Sequence, residues 1–209
     1  MKEVHLHSNE SFEQVFLNEP EVNLHIVQEA DSRVKIYILN IPKDLRDPKD
    51  IRNNISVEHR GEGCRTEIYG LAFLHGEDRV TIETHVHHAV GCGSSEQLIK
   101  FVLDDRAKGS FLGELKIAPD AQKVEAHQTN RNLLLSDDAE MRTRPQLEIY
   151  ADDVQATHGA STGQLDEAAL FYMRQRGIGY EKARQLLVNA FMQDVLPEEL
   201  VNTIDSEIE

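Results

Sequence analysis

From Val22 the pattern of apolar and polar residues takes a period of two. Val22, Leu24 and Ile26 share one face with Asn23 and His25 opposite, and then Val34, Ile36 and Ile38 alternate with Lys35 and Tyr37. A period of two is the pattern of a strand with one buried face. A charged loop from Pro42 to Pro48 interrupts it. Ile55–Val57, Thr66–Phe73 and Arg79–His88 are predicted as the next strands, separated by turns at Gly61, Gly63 and Gly76, with a further turn at Gly91–Ser95. Leu98–Val102, Ser110–Ile117, Lys123–Thr129 and Leu133–Leu135 continue the series.

The last third changes period. Leu147 and Ile149 oppose Gln146, Glu148 and Tyr150, and Val154, Ala156 and His158 oppose Gln155 and Thr157. The small, turn-prone run Gly159–Gly163 then makes a polar corner with His158 at its edge. A helix follows, with Asp166 as N-cap and Leu165 and Leu170 at staple spacing around it. Ala169, Tyr172 and Met173 make its apolar face, and Gly177 supplies a left-handed stop. A second helix is predicted over Tyr180–Met192, with Ala183, Leu186, Leu187, Ala190 and Phe191 as its stripe. Pro197 opens a third, striped by Leu200, Val201, Ile204 and Ile208. Short helices of this kind bury their apolar faces only against the β-body, each other or a partner.

The organisation is therefore a polar segment with a weak helical or irregular look (1–20), a β-body (21–163) and a helical subdomain (164–209). Many short strands with close turn signals make the fold mainly β. No strict repeat emerges, so sandwich, barrel and coil all remain open on pattern alone.

Composition narrows the function classes. With 40% hydrophobic residues the chain can bury a real core. Acidic residues outnumber basic ones 37 to 22, for a net charge of -15, and no run concentrates Lys or Arg, which argues against nucleic-acid binding. No apolar run reaches the roughly 20 residues of a membrane helix, and no signal-peptide pattern opens the sequence. Cys64 and Cys92 lack metal-ligand spacing, so reduced thiols in a cytoplasmic protein are expected.

Candidate chemistry is sparse. His85 and His87 project to the same side of one strand, as in a cupin-like metal grip, with His88 beside them; no well-spaced third ligand or carboxylate partner is evident. Both cysteines sit in turn-like surroundings, suited either to an exposed thiol or to a small packed residue. Gly91–Ser95 has no following Gly-Lys-Ser/Thr and no strand-to-helix setting, so it is not a phosphate loop. His158 can bind iron or move a proton, or simply close its corner by bonding backbone.

Several spaced blocks carry a family resemblance. They are Leu147–Tyr150, Asp153-Val154, His158-Gly159-Ala160-Ser161 with Gly163, and Phe171-Tyr172 with Arg174 and Arg176-Gly177-Ile178. Upstream stand His88 with Ser95, Gln97 and Lys100; Gly109-Ser110-Phe111 with Gly113; Ala121-Gln122-Lys123; and Gln128, Asn130 and Asn132 through Ser136. Together, strongest from about Thr84 to Leu196, they resemble the SufB/SufD family, the scaffold subunits of SUF iron–sulfur cluster assembly. Gly159 stands where the SufB branch usually has an acidic residue, so the SufD branch fits better.

The resemblance implies a right-handed parallel β-helix capped by C-terminal helices. It implies a non-catalytic cytoplasmic scaffold that pairs with a SufB-like subunit, or with itself as a homodimer, through terminal strands. His158 would lie near the interface where a nascent cluster is built. Leu170, Phe171, Tyr172, Arg174, Arg176 and Gly177 would dock a SufC-like ATPase. Many relatives have a cysteine where this chain has Ala156, so no cluster is expected on the chain alone; cluster ligands would come mainly from another subunit. That same Ala156 keeps open a purely structural dimerisation module. The other reading is a β-helix or cupin-like metalloenzyme using His85 and His87. Family members also carry a helical segment ahead of the coil that this sequence lacks, which leaves a truncated piece and a naturally short member both open.

Overall fold

The computed structural model describes residues 1–41 and 50–197. The charged loop at Pro42–Pro48 and the third helix expected after Pro197 lie outside the described residues. Twelve strands are described: β1 (Lys2–Leu6), β2 (Ser11–Leu17), β3 (Glu21–Gln28), β4 (Arg33–Asn40), β5 (Asp50–His59), β6 (Arg65–Leu74), β7 (Arg79–His88), β8 (Ser94–Leu103), β9 (Lys108–Ile117), β10 (Val124–Leu134), β11 (Glu140–Ile149) and β12 (Val154–Gly163). Helices α1 (Glu167–Gln175) and α2 (Tyr180–Met192) follow, with a 3-10 turn at Gln193–Val195.

Odd-numbered strands form one six-stranded sheet in the order β1-β3-β5-β7-β9-β11, and even-numbered strands form the other, β12-β10-β8-β6-β4-β2. Every pairing is parallel. The chain therefore winds as a β-solenoid, each coil contributing one strand to each sheet. Inward residues stack in rows: Ile55, Thr84, Gly113 and Pro145 across the first sheet, and Ile38, Gly70, Ile99, Asn130 and Ala160 across the second. Leu24, Ile26, Ile36, Ile68, Ile82, Phe101, Phe111 and Leu115 fill the space between them and are essentially inaccessible. A parallel coil of this kind leaves no choice of register, because a one-residue slip would turn every such row outward.

The corners repeat as regularly as the strands. Asn9, Asp31, Gly63, Cys92 and Lys123, at matching places between odd and even strands, all have left-handed backbone with φ between 58° and 72°. Gly61 is required by close approach, since a Cβ there would stand 2.1 Å from the Ala30 amide nitrogen.

Residues 1–20, read from the sequence as polar and irregular, instead contain β1 and β2. Their strands pair along the coil with β3 and β4, and ladder hydrogen bonds override weak local propensity. The same reasoning applies at the other end. The turn-prone run Gly159–Gly163 is strand, held by ten consecutive register pairs from Val124–Val154 to Leu133–Gly163. Likewise Leu133 and Leu134 continue β10 and do not form a separate strand.

Helix α1 begins as expected: Asp166 Oδ1 accepts the amides of Ala168 (2.8 Å) and Ala169 (3.2 Å), and Gly177 has φ +86°. Its buried face is Leu170, with Tyr172 turned outward, contrary to the expected stripe. In α2 the buried residues are Ala183, Val188 and Met192, while Leu186 and Ala190 are exposed. Apolar residues surround this helix, so its periodicity alone did not single out the docking side. The side chosen sits on the outer face of the second sheet, against Tyr37, Leu39, Leu71, Val102 and Leu133. No described helix is long and apolar enough to cross a membrane.

Candidate functional site

His158 lies mid-strand in β12, not at a corner as the sequence suggested, because β12 continues through Gly159–Gly163. It belongs to the inward row Ile36, Ile68, Gln97, Gln128, His158 of the second sheet. Gln97 and Gln128 are buried there, whereas His158 is exposed because the row ends with it. β12 and β11 are the terminal strands of the two sheets, so this end of the coil presents two unpaired strand edges side by side among the described residues. Ala156, two positions before His158 on the same face, is half-buried against the core and brings no sulfur ligand.

Behind His158 the interior turns polar. Gln128 Nε2 donates to Gln97 Oε1 (3.4 Å), leaving Gln128 Oε1 and Gln97 Nε2 without hydrogen-bond partners among the described residues. Asn132 Nδ2 donates to Asn130 Oδ1 (2.7 Å) and to the Ser161 carbonyl (3.0 Å) on β12. Gly113 makes room for this file, since a Cβ there would come within 2.4 Å of Gln128 Nε2.

Two further buried imidazoles, His59 and His88, lie apart from the outward pair His85 and His87. His88, read alongside His85 and His87, faces the opposite way, into the core. Its ring meets that of His59 edge-on, with centroids 4.3 Å apart. Thr66 Oγ1 donates to Gln28 Oε1 (2.6 Å), so it must accept from His59 Nε2 (2.8 Å), which leaves His59 Nδ1 as a bare lone pair. His88 Nε2 meets Ser95 Oγ at 2.8 Å. Burial holds the His59 imidazole well below its usual pKa and lowers that of His88 to about 4, with neighbouring imidazoles adding to both. Both rings are therefore neutral at physiological pH.

His85 and His87 do share the outer face of the first sheet. His85 Nδ1 lies 3.3 Å from Glu114 Oε2, a carboxylate one strand away that linear spacing could not reveal. Among the described residues, no group of three or more His, Cys, Asp or Glu is placed to hold a metal ion. Cys64 is buried and its thiol is pushed up by desolvation, whereas Cys92 is exposed; neither is disulfide-bonded.

The helical segment presents a second surface. Phe171 (62% exposed), Tyr172 (54%) and Tyr180 (47%) stand out from α1 and the start of α2, with Arg176 stacked on the Tyr172 ring at 4.2 Å and Arg174 by Tyr180 at 5.8 Å. Leu170 faces in, Gly177 ends α1, and Arg174 and Arg176 are exposed.

This segment is pinned to the coil by Lys100 on β8, a further residue whose role no local pattern announced. Its side chain is 3% exposed, and the ammonium donates to the Phe191 carbonyl at 2.6 Å and pairs with Asp194. It also lies over the Phe191 ring at 4.6 Å. Since α2 has no basic residue in its last turn, Lys100 supplies the missing cation at that helix end from the sheet. Arg184 and Asp104 form a second tie between α2 and the coil.

Comparison with known proteins gives the same architecture a family. Residues 21–191 match the family model described as SUF system FeS cluster assembly, SufBD core domain. The chain is 37% identical over 145 residues to the iron–sulfur cluster assembly protein SufD of Escherichia coli, covering 69% of this chain and 34% of that protein. It is 35% identical over 175 residues to an iron–sulfur cluster assembly SufBD family protein of Synechocystis sp., covering 83% of this chain and 37% of the relative. It is also 31% identical over 170 residues to a chloroplastic protein of Arabidopsis thaliana, ABCI7, covering 81% and 35% respectively. The chain thus spans about a third of the length of these curated relatives. With a parallel β-solenoid followed by C-terminal helices, and a family match over most of its length, the chain belongs to the SufBD family, with SufD among its relatives.

Proposed function

We propose that the chain is a non-catalytic scaffold of SUF cluster assembly, pairing with a SufB-like subunit (or with a second copy) along β11 and β12 and docking a SufC-like ATPase through α1. The observation carrying this reading is the position of His158 on an inward row at the end of the coil that no described strand or helix covers. A partner strand added to β12 would continue the ladder and cover the imidazole, turning an exposed side chain into an interface ligand. Iron and sulfide are then cargo assembled between subunits, with Ala156 obliging the partner to supply the thiolates.

The exposed Phe171, Tyr172 and Tyr180 with Arg174 and Arg176 form the kind of aromatic and arginine cluster that anchors a protein partner. Residues Leu170 and Gly177 act indirectly, one seating α1 and the other ending it. ATP hydrolysis belongs to the SufC-like partner in this reading. The cupin-like alternative loses ground because His85 and His87 gain one carboxylate neighbour and no third ligand among the described residues.

The test is anaerobic reconstitution with SufB-like and SufC-like partners, recording cluster absorbance. His158→Ala is expected to assemble the complex normally and lose most of its cluster yield. Full yield from a folded mutant complex would sink the proposal for His158. Phe171→Ala with Tyr172→Ala is expected to lose the ATPase on co-purification while retaining the strand-mediated pairing.

A further inference from the structure

On the outer face of the first sheet, where β5, β7, β9 and β11 begin, the structure holds a cleft of about 440 Å³. Register builds it from two outward rows. The first reads Asp50, Arg79, Lys108, Glu140 across the strands, and the second Arg52, Thr81, Ser110, Arg142. Ile51 and Val80, between the rows, point into the core.

The middle of this arrangement holds only hydrogen-bond donors and hydroxyls: Arg79, Lys108, Thr81 and Ser110. Neighbouring strands lie about 4.8 Å apart and alternate residues about 7 Å apart, so these four frame a patch the size of a phosphoryl group. Arg79 and Lys108 stand directly opposite one another, and like charges so placed repel unless an anion lies between them. Arg52 leans on Asp50 (3.8 Å) and Lys108 on Glu140 (2.6 Å). Arg79 and Arg142 form no salt bridge among the described residues, although Glu140, bonded to Lys108, lies near enough for both charges to help hold its carboxyl below the usual range; no hydrogen bond is described for the Thr81 and Ser110 hydroxyls. Four cations against two carboxylates leave this cleft at +2 on a chain whose net charge is -15.

We propose that this cleft binds the phosphate group of a small phosphorylated molecule. Arg79 and Arg142 grip the oxygens with their forked guanidinium donors, while Thr81 and Ser110 give hydroxyl hydrogens from the floor. The site lies on the opposite sheet from the helical segment and owes nothing to the cluster-assembly reading.

The test is an amide-resolved NMR titration of the whole chain with inorganic pyrophosphate, against sodium chloride of equal ionic strength. Saturable shifts confined to residues 79–81, 108–110 and 140–142 are expected, weakening as salt rises. Arg79→Ala should weaken binding about tenfold and Ser110→Ala severalfold, while Lys116→Ala, on the same face outside the cleft, should leave it unchanged. Arg142→Ala serves as the second cationic variant should Arg79→Ala disturb the spectrum without ligand. Absent shifts, shifts spread over all surface cations, or unchanged binding by both arginine variants would overturn the assignment.

Discussion

The two sheets share one core but treat their outer faces differently. β5, β7 and β9 read as unbroken alternation, buried residues taking every second place and Glu83, His85 and His87 standing outward. β4 and β8 begin with the same alternation and then become continuously buried: Tyr37 to Asn40 in one, Ile99 to Leu103 in the other. The change marks where α2 and the 3-10 turn cover the second sheet. A solvent-facing sheet needs one apolar side, whereas a covered one needs two. The helical segment is thus the outer layer of half the coil, built around a buried lysine, while among the described residues no helix lies over the first sheet.

The sharpest way to break this contrast is the matched pair Leu71→Ala and His85→Ala, each on an outer face. Leu71 is fully buried beneath the helical layer, and its truncation should cost about 2–5 kcal/mol by denaturant titration. His85→Ala should stay within about 0.5 kcal/mol. Equal costs would mean that the helices do not cover the second sheet in solution.

Acid tests the interior that both sheets share. His59 and His88 are held neutral in the fold, so the unfolded chain takes up protons that the folded chain refuses. Stability is complete above the ordinary histidine pKa of 6.5, falls as pH drops from there, and for His88 levels off near 4. The His88 shift alone corresponds to roughly 3 kcal/mol. Denaturation midpoints unchanged between pH 7 and pH 4.5 would contradict the burial of these rings.

Asp194→Ala sharpens the comparison at the tie between layers. It leaves the Lys100 ammonium with only the carbonyl and ring of Phe191, at a cost of roughly 1–3 kcal/mol. Hydrogen exchange should quicken in residues 188–195 while β6, β8 and β10 hold their protection. Smallest of all is the effect on folding of His158→Ala: an exposed imidazole without a described hydrogen bond should change stability by less than about 0.5 kcal/mol, with the loss confined to cluster yield.

Much of this architecture was legible from residue order alone. Alternation located the strands from Val22 onward, Asp166 and Gly177 bracketed α1, and the parity of His85 and His87 set both on one face. The runs Tyr37-Ile38-Leu39 and Phe101-Val102-Leu103 are apolar on both faces, as strands covered by a second layer must be. Family blocks led to the solenoid where periodicity left sandwich and barrel open. These features belong to single elements, whose geometry follows from spacings of two or about 3.6 residues.

Tertiary structure decided what single elements cannot. It drew β1, β2 and Gly159–Gly163 into the ladders, moved His158 from a corner to mid-strand, and chose Val188 and Met192 over Leu186 and Ala190 as the docking side of α2. It also paired His59 with His88, Gln97 with Gln128, and Lys100 with the end of α2. Partners such as Gln97 and Gln128 lie 31 residues apart, one coil of the solenoid, and Lys100 reaches Asp194 across 94. No local period encodes such distances; they are settled only when stacked coils bury their inner rows together and every polar group so enclosed must find what lies beside it.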